Sequence, residues 1–122
     1  MKPEFQEIFE RLRAILQKNA GRLTAQQPKP TQFCLVGGRH PKHKTPMPIA
    51  WVQIGKNYVS YHLMPVYAHP RLLAGYSDKL KARMQGKSCF NFKVRDDAMF
   101  EELDRLTAEG FVAFAKAGYM KA

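Results

Sequence analysis

Trp51, Gln53, Tyr58, Ser60 and His62 combine aromatic, hydroxyl, amide and imidazole groups within twelve positions, and they open the question of what this chain binds. They sit in two apolar runs, Ile49 to Ile54 and Tyr58 to Met64, joined by Gly55-Lys56-Asn57. β-Branched and aromatic runs around a tight Gly/Asn turn form a hairpin. With a two-residue turn, Ala50, Val52 and Ile54 share a face with Val59, Tyr61 and Leu63. That face is apolar and needs a core. The opposite face carries the five polar and aromatic residues, a set suited to stacking a base or another planar ligand, as open sheets with aromatics do. Cover by a neighbouring loop, or by a second copy in a homodimer, would account for them without a ligand.

The segment Arg39-His40-Pro41-Lys42-His43-Lys44 is a second candidate. Arg39, Lys42 and Lys44 are flexible cations beside a sheet, able to neutralise phosphates of a nucleic acid or a small anionic molecule. Solvation alone would also explain them. His40 and His43 would fill half of a tetrahedral metal site, so no resident metal is expected. Strand parity permits Cys89 and His62 to share a face, but a Cys-His nucleophile needs an activated thiolate, and cysteines in strands are more often small packed residues. Should Cys89, Asn91 and Lys93 lie on that side, the face becomes an aromatic-floored groove with basic edges. Gly86-Lys87-Ser88 lacks the upstream glycine of a phosphate loop, since position 81 is Lys81, and a strand follows it. Asp96 and Asp97 read as a helix cap, not as a catalytic carboxylate pair. No catalytic set and no cofactor is called for.

A chain of 122 residues with 45% apolar content fits one domain, 1–122, around one core. No apolar run approaches the roughly 20 residues that span a bilayer, and the N-terminus lacks the pattern of a secretory signal. A soluble, cytoplasmic protein without membrane contact is expected. Cys34 and Cys89 fall inside strands without metal spacing and are expected as reduced thiols. Twenty Lys and Arg against ten Asp and Glu give a net charge of +10, which points to an anionic partner.

The elements that must position these residues follow from periodicity. Phe5, Ile8, Phe9, Leu12, Ile15 and Leu16 predict a first helix from about Pro3 to Asn19, ended at Gly21. Leu23 to Pro30 reads as a polar connector, Thr31 to Val36 as a strand ended by Gly37-Gly38, and Arg39 to Pro46 as an exposed loop. After the hairpin, closed by Pro65, the apolar residues from Pro70 to Met84 predict a short turn broken at Gly75 and a longer helix from near Ser77. Lys87 to Val94 alternates as a strand with Phe90, Phe92 and Val94 inward. Asp96 or Asp97 caps a last helix with the stripe Phe100, Leu103, Leu106, Phe111 and Phe114. The expected fold is α+β: an antiparallel four-stranded sheet with its N-terminal, middle and C-terminal helices packed mainly on one face.

The run Tyr58-Val59-Ser60-Tyr61-His62-Leu63-Met64-Pro65, then a helix, then Gly86-Lys87-Ser88-Cys89-Phe90-Asn91-Phe92 and a terminal helix, resembles the YdhG-like family of small proteins of unknown function. The resemblance covers about Ile49 to Phe114. It implies a frataxin-like α+β fold and, since at least one member has been proposed as an intracellular iron chaperone, iron handling. Iron handling of that type is associated with carboxylate-rich surfaces, whereas this chain is basic. The residues therefore favour a small binding protein whose open sheet face and basic loop receive an anionic or planar ligand, ahead of an iron chaperone and a low-activity enzyme.

Overall fold

The computed structural model describes residues 3–21, 23–39 and 46–118, and of residues 38, 39 and 46 the backbone alone. Helix α1 (Pro3–Asn19) buries the six residues of its predicted stripe. Five antiparallel strands follow: β1 (Thr24–Ala25), β2 (Gln32–Arg39), β3 (Pro46–Ile54), β4 (Val59–Leu63) and, after a helical segment, β5 (Cys89–Phe92). They lie side by side in chain order. Helix α4 (Asp97–Lys116) closes the described fold and packs with α1 over one face of the sheet.

The hairpin register is the expected one, with Ala50 opposite Leu63, Val52 opposite Tyr61 and Ile54 opposite Val59. Gly55 N–H donates to the Tyr58 carbonyl at 2.8 Å, leaving Lys56 and Asn57 as the two-residue turn. Ala50, Val52, Val59, Tyr61, Leu63, Phe90 and Phe92 are buried with Leu12, Leu103 and Phe111, and Ile54 is partly buried against them. Sheet and helices therefore enclose one core. Within it the hydroxyl of Tyr61 meets that of Thr107, the one buried polar residue among the described residues, at 2.5 Å. Burial pushes the Tyr61 phenol far above its ordinary range, so it stays protonated and the pair serves packing.

Four expectations need correction. The sheet has five strands instead of four, because Thr24 and Ala25 inside the expected connector pair with Val36 and Leu35. Two exposed residues carry no apolar alternation, so only pairing with β2 makes them a strand. Gly37-Gly38 does not end β2. Register shifts between Leu35 and Gly38 carry the strand on until Arg39 pairs with Pro46. Gly37 stands there at φ +136°, where an added Cβ would also meet Leu23 Cδ2 at 3.1 Å.

The hairpin closes where expected, β4 ending at Leu63 and Pro65 standing in the first turn of a helix. Three short pieces replace the expected turn and long helix: α2 (Met64–Ala68), a 3-10 turn (Pro70–Gly75) and α3 (Asp78–Lys81), which Ser77 caps through a bond from Leu80 N–H to its hydroxyl. Pro65 and Pro70 each restart the chain, and within these pieces only Pro65, Val66 and Leu80 are buried. Finally, β5 stops at Phe92, and Val94, expected inward, is 57% exposed.

Helix α4 meets its expectations closely. Asp96 caps it by accepting from Met99 N–H at 3.0 Å. Its five predicted stripe residues are buried. Gly110 permits close contact with α2 and not with the sheet, since a Cβ there would stand 3.0 Å from Pro65 Cβ.

Candidate ligand-binding face

The helices cover one sheet face, and period-two alternation turns a different set of side chains to the other. Strand pairing arranges these in two transverse rows: Cys34, Trp51, His62 and Cys89, and beside it Gln32, Gln53, Ser60 and Asn91. Trp51, Ser60, His62, Cys89 and Asn91 are half-buried, Gln53 is exposed and Cys34 is buried. Trp51 stacks on His62 with ring centroids 4.6 Å apart and planes 13° from parallel. Cys89 Sγ lies 3.6 Å from His62 Nε2. The Cys89 thiol and the Ser60 hydroxyl both reach Asn91 Oδ1, at 3.3 and 3.1 Å, and Asn91 Nδ2 donates to Gln85 Oε1 at 2.7 Å.

The electrostatics of the pair argue against a resting nucleophile. Burial lowers the His62 pKa and raises that of Cys89, the latter partly offset by a hydrogen bond with Ser60. Both shifts favour the neutral forms, whereas a nucleophilic pair needs thiolate beside imidazolium. The second thiol, Cys34, is three strands away, about 14 Å at the usual strand spacing and beyond disulfide reach. Both cysteines are free.

The face continues into a groove of about 660 Å³ at the β5 edge. Tyr58, Asn91 and Gln85 line it, with Lys56 from the hairpin turn, Arg83 from beyond α3 and Lys93 from beyond β5. Arg83 to Gln85 run beside β5 like one more strand: Asn91 N–H donates to the Arg83 carbonyl and Gln85 N–H to that of Cys89, both at 2.9 Å. Three cations remote in sequence thus meet beside an aromatic ring. On the same face, at the opposite side of the sheet, a smaller pocket of about 260 Å³ is lined by Gln26, Gln27, Lys29, Gln32 and Cys34.

Of the residues expected at the site, Trp51, Gln53, Ser60 and His62 share this face and Tyr58 lines its groove. Of the expected loop cations, Arg39 is described by its backbone alone, and Lys42 and Lys44, with His40 and His43, lie outside the described residues. Sequence reasoning missed Lys56 and Gln85, and read Arg83 among the cations at the helix end without placing it in this groove. Lys56 was legible in principle as a cation in the turn itself, but nothing local in the sequence turns Arg83 and Gln85 alongside β5.

Two of the α4 acids, Glu102 and Asp104, have structural partners. Glu102 accepts from Ser77 N–H and its hydroxyl, both at 2.8 Å, while Asp104 accepts from Lys18 at 2.8 Å and Asn19 at 2.9 Å. Burial works against the Asp104 carboxylate, but these two bonds and the Lys18 charge hold its pKa below the usual value. Among the described residues no group of three or more His, Cys, Asp and Glu side chains is placed to hold a metal ion. None of the described helices is long and apolar enough to cross a membrane.

Comparison with family models, curated proteins and solved structures found no match to this chain.

Proposed function

We propose that this chain is a cytoplasmic binding protein whose outward sheet face, not covered by any of the described helices, receives a phosphate-bearing aromatic ligand, a short single-stranded nucleic acid being the best fit. The observation that carries this reading is the junction of a ring-bearing face, with Trp51 on His62, and a groove where Tyr58 is flanked by Lys56, Arg83 and Lys93. Rings offer stacking to any base, and cations offer contacts to the backbone that links bases. The net charge of +10 supplies long-range attraction for the same ligand. Iron handling is the runner-up. It draws support from the YdhG-like resemblance, which implies a frataxin-like fold, and from terminal helices packed over an antiparallel sheet. The engagement of Glu102 and Asp104 in structural bonds weighs against it.

The test is salt-dependent binding of a labelled short oligothymidylate, followed by anisotropy. Three phosphate contacts predict a slope of log affinity against log salt of about −2. Lys56→Glu, Arg83→Glu and Lys93→Glu together should abolish binding that charge reversal at three exposed cations away from the groove, Arg71, Lys79 and Lys116, leaves intact. Equal loss in both proteins would reduce the effect to net charge and refute the groove.

A further inference from the structure

Trp51 has two neighbours in its transverse row, His62 on β4 and Cys34 on β2. His62 stacks on one face of the indole, so a base that stacks on Trp51 uses the other. Cys34 lines the smaller pocket of about 260 Å³, with Gln26, Gln27, Lys29 and Gln32. We propose that this pocket is a second subsite of the nucleic-acid face and takes an adenine base of the strand whose phosphates occupy the groove at β5. This rests on the nucleic-acid reading above and adds to it a place and a preference for one base.

Three features carry it. The first is continuity. Strand pairing runs the polar row as Gln32, Gln53, Ser60 and Asn91, and its first member lines the pocket while its last lines the groove. A band of amide and hydroxyl groups therefore joins the two concavities beside the row of rings. From β2 to β5 is three strand spacings, about 14 Å, a span suited to linked nucleotides.

The second is donor type. Each glutamine amide sets a donor and an acceptor side by side, the pair that adenine answers with N7 and its N6 amino group. Guanine instead presents two acceptors, O6 and N7, which suit Arg or Lys, and the cytosine amino group suits a carboxylate. Three amides, one lysine and, among the described lining residues, no carboxylate fit adenine best. Lys29 supplies a cation for the phosphate beside that base.

The third is restraint. Gln26 N–H donates to the Cys34 carbonyl at 2.8 Å, and Lys29 and Gln32 exchange backbone bonds at 3.1 and 3.3 Å. These bonds tie the pocket wall to β2, next to Trp51. The volume falls just below the roughly 300–1,000 Å³ of pockets for larger ligands and suits a single base.

The experiment sets unlabelled oligodeoxyadenylate and oligothymidylate of equal length to compete, at one salt concentration, for the full chain bound to labelled oligothymidylate. The parent should favour the adenylate about five-fold or more, the worth of one bidentate base contact. Gln26→Ala, Gln27→Ala and Gln32→Ala together should remove that preference and leave thymidylate binding as it was. Gln26 and Gln27 are exposed and Gln32 is not buried, so the core does not depend on them, and retained thymidylate binding verifies the fold. Equal affinity of the parent for the two oligonucleotides, or an adenylate preference that survives the glutamine changes, would overturn the subsite and leave the groove standing. Displacement by ATP as strong as by the adenylate oligomer would lay a single nucleotide across the face and overturn the strand. Absence of salt-dependent thymidylate binding by the parent would refute the nucleic-acid reading itself, and the subsite with it.

Discussion

The two faces of the β3–β4 hairpin come from alternate residues of the same ten positions, yet they are made to different rules. Val52, Val59, Tyr61 and Leu63 are fully buried and meet α1, α4 and β5, and their one polar pair is satisfied internally. Trp51, Gln53, Ser60 and His62 are half-buried or exposed; Trp51 stacks on His62, and Ser60 and His62 reach the β5 residues Asn91 and Cys89. The comparison separates what the fold needs from what it merely carries. Burial demands apolar volume, and any residue of suitable shape supplies it, whereas a stacked Trp-His pair beside a thiol and three converging cations has no such explanation.

The largest expected effect breaks the inner face. Phe90→Ala should cost about 3–5 kcal/mol in chemical denaturation, since Phe90 is fully buried, and Phe111→Ala should approach that range. Changes to Gln53 or Lys56 should lie within about 0.5 kcal/mol. Comparable losses on both faces would erase the distinction.

A smaller effect sharpens it. Tyr61→Phe removes one hydroxyl of the buried Tyr61–Thr107 pair and leaves Thr107 without that partner, at a cost of about 1–3 kcal/mol. Adding Thr107→Val should recover much of the loss, and a double-mutant cycle measures the coupling. Purely additive costs would show that the two hydroxyls do not act as a pair.

The smallest effect lies on the outer face and depends on pH. Burial lowers the His62 pKa from its ordinary 6.5, so the unfolded chain takes up this proton more readily than the folded one. The contribution is therefore fully present above pH 6.5 and is lost as pH falls below it toward the folded value. His62→Gln should flatten the stability profile in that window. Asp97 and Asp104, both held below 3.8, act only at lower pH and leave the window clear. A profile that His62→Gln leaves unchanged would contradict the half-buried neutral ring.

How much of this was legible in the sequence follows from locality. The hairpin faces, the α1 and α4 stripes and the Asp96 cap were readable because each is encoded by spacing within one element. Thr24–Ala25 was not readable, because two polar residues become a strand only when Val36 and Leu35 come alongside. Pro70 to Met84 has helical spacing but too little burial to hold one helix through Gly75. The site divided in the same way. Trp51, Ser60 and His62 were assigned to one face by parity, and Cys89 joined them through the β4–β5 register. The groove cations come from a turn, a helix exit and a strand exit, and only the folded chain brings them together.

The measurement that bears most directly on the outer face is the emission of Trp51 as a short oligothymidylate is added at low salt. A base stacking on this ring should quench it saturably, with the same midpoint as the anisotropy titration, while inorganic phosphate leaves it unchanged. Stacking of one base is worth about 1–3 kcal/mol, so Trp51→Ala should weaken binding about five-fold or more. Binding that saturates by anisotropy without altering Trp51 emission, and that survives Trp51→Ala undiminished, would place the ligand elsewhere on the basic surface and contradict the account.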